Sequence, residues 1–270
     1  MKWFRVFIVM ILVAAIAVPV TAEESEQSRA EEIAWKAYEA TYFRGKSVKS
    51  RAKLRIEDNQ GRVRTRVLSI LRKNVGEQRQ KYYSYFHKPA DLRQMVFMVW
   101  TRPGKDDDRW LYLPSIDLVQ RITGSQKRNS FAGSNFTYED MTGRYPGNDK
   151  FEHLGTKTME GDTVYVLKGT PRNPEMVEFS YYKAYVNTET YLPEKSVFYT
   201  PQGKPHRTLT LEKVETIEGI VTPVVQKAVN HQTGSTTVAT MSDIDYNIGV
   251  PERVFEQRYL RRPPTPYIRP

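Results

Sequence analysis

The chain has 270 residues, a formal net charge of +10 and no cysteine. Its hydrophobic fraction of 39%, with 12% aromatic residues, is sufficient for a sizeable core, and its length fits one all-β domain or two small ones. We favour one domain, because no linker rich in Ser, Gly or Pro interrupts the body of the chain. The lack of cysteine excludes a disulfide framework and the lipidated cysteine of a bacterial lipoprotein, while the basic excess indicates an anionic partner.

Residues 1–22 are typical of a cleaved secretory signal. Lys2 and Arg5 form a positive start, an apolar run extends from residue 6 to residue 18, and small residues precede a cleavage site near Ala22. The run is about 13 residues long, whereas a membrane-spanning helix needs roughly 20, so an uncleaved anchor is the weaker alternative. Cleavage removes two positive charges and leaves +8 on 248 residues. The sequence therefore predicts an exported, periplasmic protein, for which nucleic acid is not an expected partner.

The exported chain opens with a predicted helix over residues 28–43. Ser28 and Glu31 have the spacing of a capping box. Apolar residues recur at steps of three and four and share one face, namely Ala30, Ile33, Ala34, Ala37 and Tyr38. We expect this helix to lie on an apolar surface and to end at Gly45.

Two alternating strands follow, over residues 48–56 and 63–71, with a turn at residues 58–61. Pairing Glu57 with Arg62 places the basic residues of both strands on one face, namely Arg51, Lys53, Arg55, Arg62, Arg64 and Arg66. Like charges directly opposite each other are destabilising. Two interpretations stay open, a solvated outer face with long screened side chains and a docking surface for anionic lipid headgroups or an acidic partner.

Alternating and apolar runs predict about eleven strands in total, joined by hairpin-length turns. Beyond the first two, they cover residues 82–86, 95–101, 110–113, 162–170, 176–187, 191–200, 206–216, 220–230 and 235–243. The first three of these are apolar on both faces, which is typical of strands covered on each side. Short joins require antiparallel neighbours, and long open sheets tend to curl. The apolar concave face needs a cover, for which the N-terminal helix and residues 131–141 are available.

The most specific pattern is the run from Asp106 to Met141, DDDRWLYLPSIDLVQRITGSQKRNSFAGSNFTYEDM. It contains an acidic turn before the strand W-L-Y-L-P, then Arg121 before a short loop, then the block S-F-A-G-S-N-F-T-Y-E-D-M. In this order these pieces resemble the central signature of the outer-membrane lipoprotein-sorting proteins, the LolA-like family of periplasmic carriers. Looser similarity spans most of the exported chain, including F-H-K-P-A-D-L-R upstream and Y-L-P-E-K downstream.

The resemblance implies a mainly β (α+β) fold, in which a long antiparallel sheet curls into a half-open β-barrel and short helices cover its apolar concave face. We expect residues 23–260 to form this single domain. Four prolines in residues 261–270 remove backbone donors and restrict φ, so this tail cannot join the sheet. The composition predicts a tail that is extended or disordered.

No catalytic or cofactor motif is recognisable. The four histidines, His87, His153, His206 and His231, lie on separate predicted elements, and neither an H-E-x-x-H motif nor a cysteine is available for a zinc site. The G-x-S-x-G, Walker and dinucleotide-binding patterns are also missing. The three consecutive acids at residues 106–108 predict a polar hairpin turn in preference to a calcium site. We therefore predict no enzymatic activity, no metal and no cofactor.

An apolar ligand site is the remaining prediction, although each of its candidate residues would also suit an ordinary core. The candidates are the large side chains near the sheet centre and its cover, namely Phe97, Trp100, Trp110, Tyr112, Phe131, Phe136, Tyr138 and Met141. Residues 133–135 allow a loop that opens and closes. Arg121, Lys127 and Arg128 flank this loop and would meet a phosphate or carboxylate, or else lie solvated.

The resemblance implies a soluble carrier that binds the acyl chain of a lipid or lipoprotein and moves it between inner-membrane machinery and the outer membrane. Transient contact with membrane surfaces would follow from the basic residues. Relatives of this kind are often associated with inner-membrane transporters of the resistance-nodulation-division type, which makes such a transporter an expected partner. The alternatives are a periplasmic sensor or regulatory module of an envelope-stress or transporter complex, and a structural subunit with a filled barrel.

Overall fold

The described residues, 22–268 of the computed structural model, form one antiparallel sheet of thirteen strands with helices against it. The predicted signal sequence lies outside the described residues, apart from Ala22. The strands are β1 (Ser47–Glu57), β2 (Val63–Asn74), β3 (Gln80–Lys88), β4 (Val96–Trp100), β5 (Asp108–Leu113), β6 (Leu118–Arg121), β7 (Asp149–Met159), β8 (Asp162–Pro171), β9 (Tyr181–Asn187), β10 (Pro193–Tyr199), β11 (Pro205–Ile217), β12 (Ile220–Asn230) and β13 (Thr236–Tyr246).

The α-helices are α1 (Ala22–Tyr42), α2 (Arg258–Arg261) and α3 (Thr265–Ile268). Short 3-10 turns occupy Ala90–Leu92, Pro114–Ile116, Gly124–Arg128, Glu139–Met141, Pro146–Asn148, Pro174–Met176 and Glu252–Phe255. Among these described residues, no helix has the length and apolar character needed to cross a membrane.

The sheet consists of two meanders joined through β1 and β13. The strand order is β6-β5-β4-β3-β2-β1-β13-β12-β11-β10-β9-β8-β7, so β6 and β7 are unpaired edges and the sheet is not closed. The predicted fold class, a curled half-open barrel with short helices, is confirmed. The eleven predicted strands lack only these two edge strands. β6 is only four residues long and β7 is interrupted by a bulge between His153 and Thr156, and both features weaken the alternating pattern by which a strand is predicted.

Helix α1 lies on the concave side, over the half of the sheet formed by β7 to β9. Its predicted apolar face packs on Phe151, Leu167, Ala184 and Val186. The helix includes residues before Ser28, so the predicted capping-box start is wrong. It ends at Tyr42, shortly before Gly45, which has the positive φ of 64° that favours glycine.

The register between β1 and β2 differs from the predicted one by a single residue. Leu54 pairs with Arg66 and Ile56 pairs with Arg64, because the turn includes Arg62, whose backbone N–H donates to Asp58 Oδ1 at 3.0 Å. A shift of one residue moves every side chain of a strand to the other face. The predicted basic face shared by both strands is therefore wrong.

Arg64 and Arg66 consequently lie on the concave side of the sheet, with Leu54 and Leu68. Lys53 and Arg55 alternate with Leu54 on β1 and so lie on the opposite, convex side. In this arrangement the basic side chains of β1 and β2 do not face each other. Lys53 pairs with neutral Val67 and Arg55 pairs with neutral Thr65, so the predicted charge repulsion is absent between these pairs.

The C-terminal segment, residues 248–268, covers the convex face of β2 to β5. Val254, Phe255, Leu260 and Ile268 are buried there against side chains of these strands, including Tyr83. Tyr83 Oη donates to Tyr259 O at 2.9 Å, and Ser69 Oγ donates to Ile268 O at 2.9 Å. The tail stays outside the sheet, as its prolines predict. The prediction that it is extended or disordered is wrong for residues 261–268, because proline prevents ladder hydrogen bonds but not side-chain burial.

Candidate ligand-binding site

A cavity of about 340 Å³ lies between the concave face of the sheet and its cover; we call it the apolar cavity. Its volume is in the range of pockets that hold small ligands. Most of its wall is aliphatic or aromatic and comes from α1, from β1 to β3, from β7 to β13 and from the loop before β7. Representative lining residues are Ala37, Leu54, Leu68, Phe131, Phe136, Met141, Leu167, Phe198, Leu209, Leu211, Ala239 and Met241.

The cover segment, residues 131–141, forms one wall of this cavity. Ala132 and Gly133 both have positive φ, and Phe131 N donates to Phe136 O at 2.8 Å, which closes a tight loop. This loop directs Phe131 and Phe136 inward, where both are buried. Phe131 packs against Phe97 with ring centroids 5.6 Å apart. The cover segment is thus anchored through aromatic packing on β3 and β4.

Polar contacts attach the cover segment to the other half of the sheet. Asn135 N donates to Thr237 Oγ1 at 3.0 Å, and Asn135 Oδ1 accepts from Ser235 Oγ at 2.9 Å. Asp140 pairs with Arg207 of β11, and both side chains are mostly buried. On the β2 side, Arg66 Nε donates to the backbone oxygen of Ala132 at 3.2 Å. Further bonds would also have to break for the cover segment to lift, among them those from Asn135 Nδ2 to Ala228 O and from Tyr42 Oη to Asp140 O, both at 3.3 Å.

A buried ion-pair network lies at the end of the cover segment. Glu139 accepts from Lys127 at 2.9 Å and from Arg144 at 3.2 Å, and Arg144 also pairs with Asp149 at 2.7 Å. Burial alone would lower the pKa of Arg144, but the carboxylates of Glu139 and Asp149 outweigh it, and the pKa lies above its usual range. Arg144 therefore stays charged, and its two ion pairs hold the loop before β7 in place.

Four tyrosines that line the apolar cavity remain neutral. Burial raises the pKa of Tyr82 to about 12 and raises the pKa values of Tyr38, Tyr42 and Tyr182 further above the usual range. At neutral pH these groups are hydrogen-bonding phenols and do not act as bases. Within residues 22–268, no cluster of three or more His, Asp or Glu side chains is arranged to hold a metal ion.

The eight predicted apolar site residues divide into three groups. Phe131, Phe136 and Met141 line the apolar cavity. Phe97 and Tyr138 pack together behind this wall, with ring centroids 5.0 Å apart. Trp100, Trp110 and Tyr112 belong to the convex cluster under the C-terminal segment, so their predicted place in the cavity is wrong. Side chains alternate along a strand, and on β5 the concave position belongs to Leu111.

The lining residues that the prediction lacks are mostly small or aliphatic and come from β8 to β13. Ala184, Leu209, Leu211, Ala239 and Met241 are examples. Alternation within each of these strands marks one apolar face. The aromatic side chains predicted for the site, however, lie in the other half of the sheet and in the cover segment. The sequence therefore contains the pattern that marks these lining residues, but side-chain size alone selects the other half of the sheet.

The predicted headgroup contacts differ in how many protein partners they have. Arg121 pairs with Asp108, Arg55 with Glu57 and Arg62 with Asp58. Arg128 Nη1 donates to the backbone oxygens of Glu175 and Val177, and Lys127 is buried in the network described above. In the part of the chain that the structure describes, Arg51, Lys53 and Arg64 have no acidic partner within 4.0 Å, and contact with an anionic headgroup stays a prediction for all of them.

Comparison with known proteins gives matches to one family model and to several solved structures. The family model is described as "Uncharacterized protein" and matches residues 78–262. A DUF1329 family protein from Desulfovibrio piger is 26% identical, with a TM-score of 0.80, and the match covers 87% of this chain and 99% of that one. No curated protein matches the sequence.

Two further structures carry names that refer to sorting or to LolA. A domain from Vibrio parahaemolyticus that is named for outer membrane lipoprotein sorting is 26% identical, with a TM-score of 0.81, over 87% of this chain and 100% of that one. A LolA superfamily protein from Nitrosomonas europaea shares the fold at 21% identity and a TM-score of 0.66, over 85% of this chain and 98% of that one.

Proposed function

Because the chain belongs to the family whose model matches residues 78–262 and resembles the LolA-like sorting proteins, we propose that it is a periplasmic carrier of acyl chains. It takes the acyl chain of a lipid or lipoprotein into the apolar cavity and moves it between inner-membrane machinery and the outer membrane. The observation that carries the proposal is the cavity itself, about 340 Å³ of mostly apolar space under the cover segment. The name of the relative from Vibrio parahaemolyticus supports the same class of cargo.

The energetics of acyl binding require no specific polar group. Each buried methylene contributes roughly 0.8 kcal/mol, so about ten of them supply roughly 8 kcal/mol before the costs of association. Neutral tyrosines and aliphatic side chains are sufficient to line such a site. This agrees with a binding protein and assigns no catalytic step to the cavity.

Loading requires a path from the surface into the apolar cavity. Gly133 and its neighbours form the tight loop of the cover segment, and Arg66, Asn135 and Asp140 attach that segment to both halves of the sheet. Lifting the cover segment breaks these bonds and leaves the sheet intact. We therefore place the opening at the cover segment.

Export to the periplasm and contact with membranes complete the proposal. Arg51 and Lys53, on the convex side of β1, are available to meet anionic membrane surfaces, with an attraction that salt would weaken. A transporter of the resistance-nodulation-division type is proposed as the donor on the family resemblance alone.

The test is uptake of a fluorescent long-chain fatty acid by the exported chain after lipid removal, combined with native mass spectrometry of the protein purified with its lipid. Leu211→Trp fills the apolar cavity from β11 and should weaken uptake by at least about tenfold, since a buried acyl chain and the indole compete for one volume. Val214→Trp, on the same strand but at a side chain that is 44% exposed, is the matched control and should bind as the unmodified protein does.

A carrier should also retain about one acylated molecule per chain in the native mass spectrum. If the protein carries no lipid and takes none up, or if both tryptophan variants bind equally well, the cavity is not an acyl site and the proposal fails.

A further inference from the structure

A second cavity, of about 290 Å³, lies beside the apolar cavity; we call it the polar cavity. The loop between β4 and β5, the ion-pair network and the loop after β8 surround it. Six basic side chains line it, namely Arg102, Lys105, Arg109, Lys127, Arg144 and Arg172. Three acidic side chains, Asp106, Asp107 and Glu139, also line it, and acids outside the lining pair with three of the basic groups, namely Asp108 with Arg102, Asp149 with Arg144 and Glu31 with Arg172. Lys105 has no acidic partner within 4.0 Å among residues 22–268, and the cavity is rich in basic donors.

Arg109 is the feature of the polar cavity that points to a ligand. It is only 3% exposed, and its guanidinium pairs with Asp107 through Nη2. Its Nε and Nη1 atoms are buried and have no hydrogen-bond partner in the described part of the chain. Buried donors without a partner carry a desolvation cost that an added acceptor removes. A guanidinium offers a planar fork of donors that fits phosphate oxygens well.

The two cavities share a wall. Tyr38 of α1 and Arg144 line both of them. Lys105 and Arg102 are exposed at the outer end of the polar cavity, so it also reaches the surface. An apolar space and a space lined by basic donors that have Tyr38 and Arg144 in common suit the two ends of one amphiphile.

We propose that the polar cavity binds the phosphate of a phospholipid whose acyl chain occupies the apolar cavity. This inference rests on the proposed function, because it assigns the headgroup class of the same cargo. Arg109 supplies the buried donors, and Lys105 supplies charge at the outer end. A neutral lipid with the same acyl chains leaves the Arg109 donors without an acceptor and binds more weakly.

The test compares dioleoyl phosphatidic acid with dioleoylglycerol, which has the same acyl chains and no phosphate. The exported chain, stripped of lipid, should bind the phosphatidic acid at least about tenfold more tightly, which corresponds to about 1.4 kcal/mol. In the double variant D107N/R109L, which removes a buried pair together, the ratio of the two affinities should fall to near one. The double variant E256Q/R258L removes an exposed pair distant in sequence from both cavities and should keep the ratio.

K105E provides a second variant if the buried pair proves necessary for folding. Lys105 is exposed and has no acidic partner within 4.0 Å among residues 22–268, so its replacement leaves the interior unchanged. Reversing its charge should lower the ratio about threefold. An unchanged ratio in K105E, together with an unchanged ratio in a folded D107N/R109L, overturns the phosphate site.

The remaining outcomes separate this inference from the carrier proposal. Equal, tight binding of both lipids by the unmodified chain overturns the phosphate site and leaves the acyl carrier intact. Failure to bind either lipid overturns the carrier and the inference together. Inorganic phosphate is the third probe: if it binds in an Arg109-dependent way without displacing phosphatidic acid, the polar cavity takes free phosphate and not a headgroup.

Discussion

Arg207 connects the sheet to the cover segment through a buried ion pair with Asp140. It lies on β11 with 9% of its surface exposed, pairs with Asp140 and donates from Nη1 to Asn135 O at 3.3 Å. Asp140 Oδ2 also accepts from the backbone N–H of Thr137 at 2.6 Å, so this carboxylate organises the cover segment internally as well. Removing one member of such a pair leaves the other charge buried without compensation.

We expect Arg207→Leu to lower the free energy of unfolding by about 3 kcal/mol, because it leaves the Asp140 carboxylate unpaired in the interior. Urea unfolding followed by circular dichroism measures this change. The matched control is Arg55→Leu, which breaks an exposed pair with Glu57 and should cost less than about 1 kcal/mol. Equal losses in the two variants would show that the Asp140–Arg207 pair does not hold the cover.

At the scale of elements, the C-terminal segment takes the place of a second layer on the convex face. Phe255 is fully buried there, and its backbone oxygen accepts from Trp100 Nε1 at 2.8 Å. Without this segment, Tyr83 and Trp110 would be exposed to water on the convex face. The concave face of the same strands is already covered. The segment therefore explains why β3 to β5 are apolar on both faces.

Truncating Phe255 to Ala should destabilise the protein by roughly 3–5 kcal/mol, the usual cost of removing a buried phenyl group and leaving a cavity. Thermal or urea unfolding tests this value, and increased binding of a hydrophobic dye would report exposure of the convex cluster. Val214→Ala, at an exposed position, should change stability by less than about 0.5 kcal/mol. If Phe255→Ala lowers the free energy of unfolding by less than about 1 kcal/mol, the C-terminal segment does not contribute to the stability of the sheet.

At the scale of the whole molecule, the proposed carrier has the sheet as its half-barrel and the cover segment as the wall that opens. The chain contains no cysteine, so an engineered pair is free of competing thiols. Asn135 on the cover segment and Ser235 before β13 already meet, with Oδ1 and Oγ 2.9 Å apart. A disulfide between these positions would fasten the cover segment to the sheet.

In the variant N135C/S235C, oxidation should slow the uptake of a fluorescent fatty acid by at least about tenfold, and reduction should restore it. The reduced form of the same protein is the control, which separates locking from any effect of the two substitutions. Uptake at one rate in both redox states would place the entrance somewhere other than the cover segment.

Much of this architecture is determined by the sequence alone. Period-two patterns and short turns indicate strands and antiparallel neighbours, because a hairpin-length join permits no other pairing. The 3.6-residue pattern in α1 predicts the face that packs on the sheet, and the block at residues 131–141 both indicates the cover and carries the confirmed LolA-like resemblance. These are local signals, so they can be read before any long-range contact is known.

Three features were decided by the tertiary structure alone. They are the register between β1 and β2, the direction of side chains in strands that are buried on both faces, and the packing of the C-terminal segment on the convex face. Where both faces are buried, as on β5, the sequence does not distinguish the concave Leu111 from the convex Trp110, since both are equally apolar. The turn after β1 changed the pairing by one residue and so moved Arg64 and Arg66 to the concave side. The polar cavity depends on three loops that are distant in sequence, and only folding brings Arg109, Lys127 and Arg172 to one place.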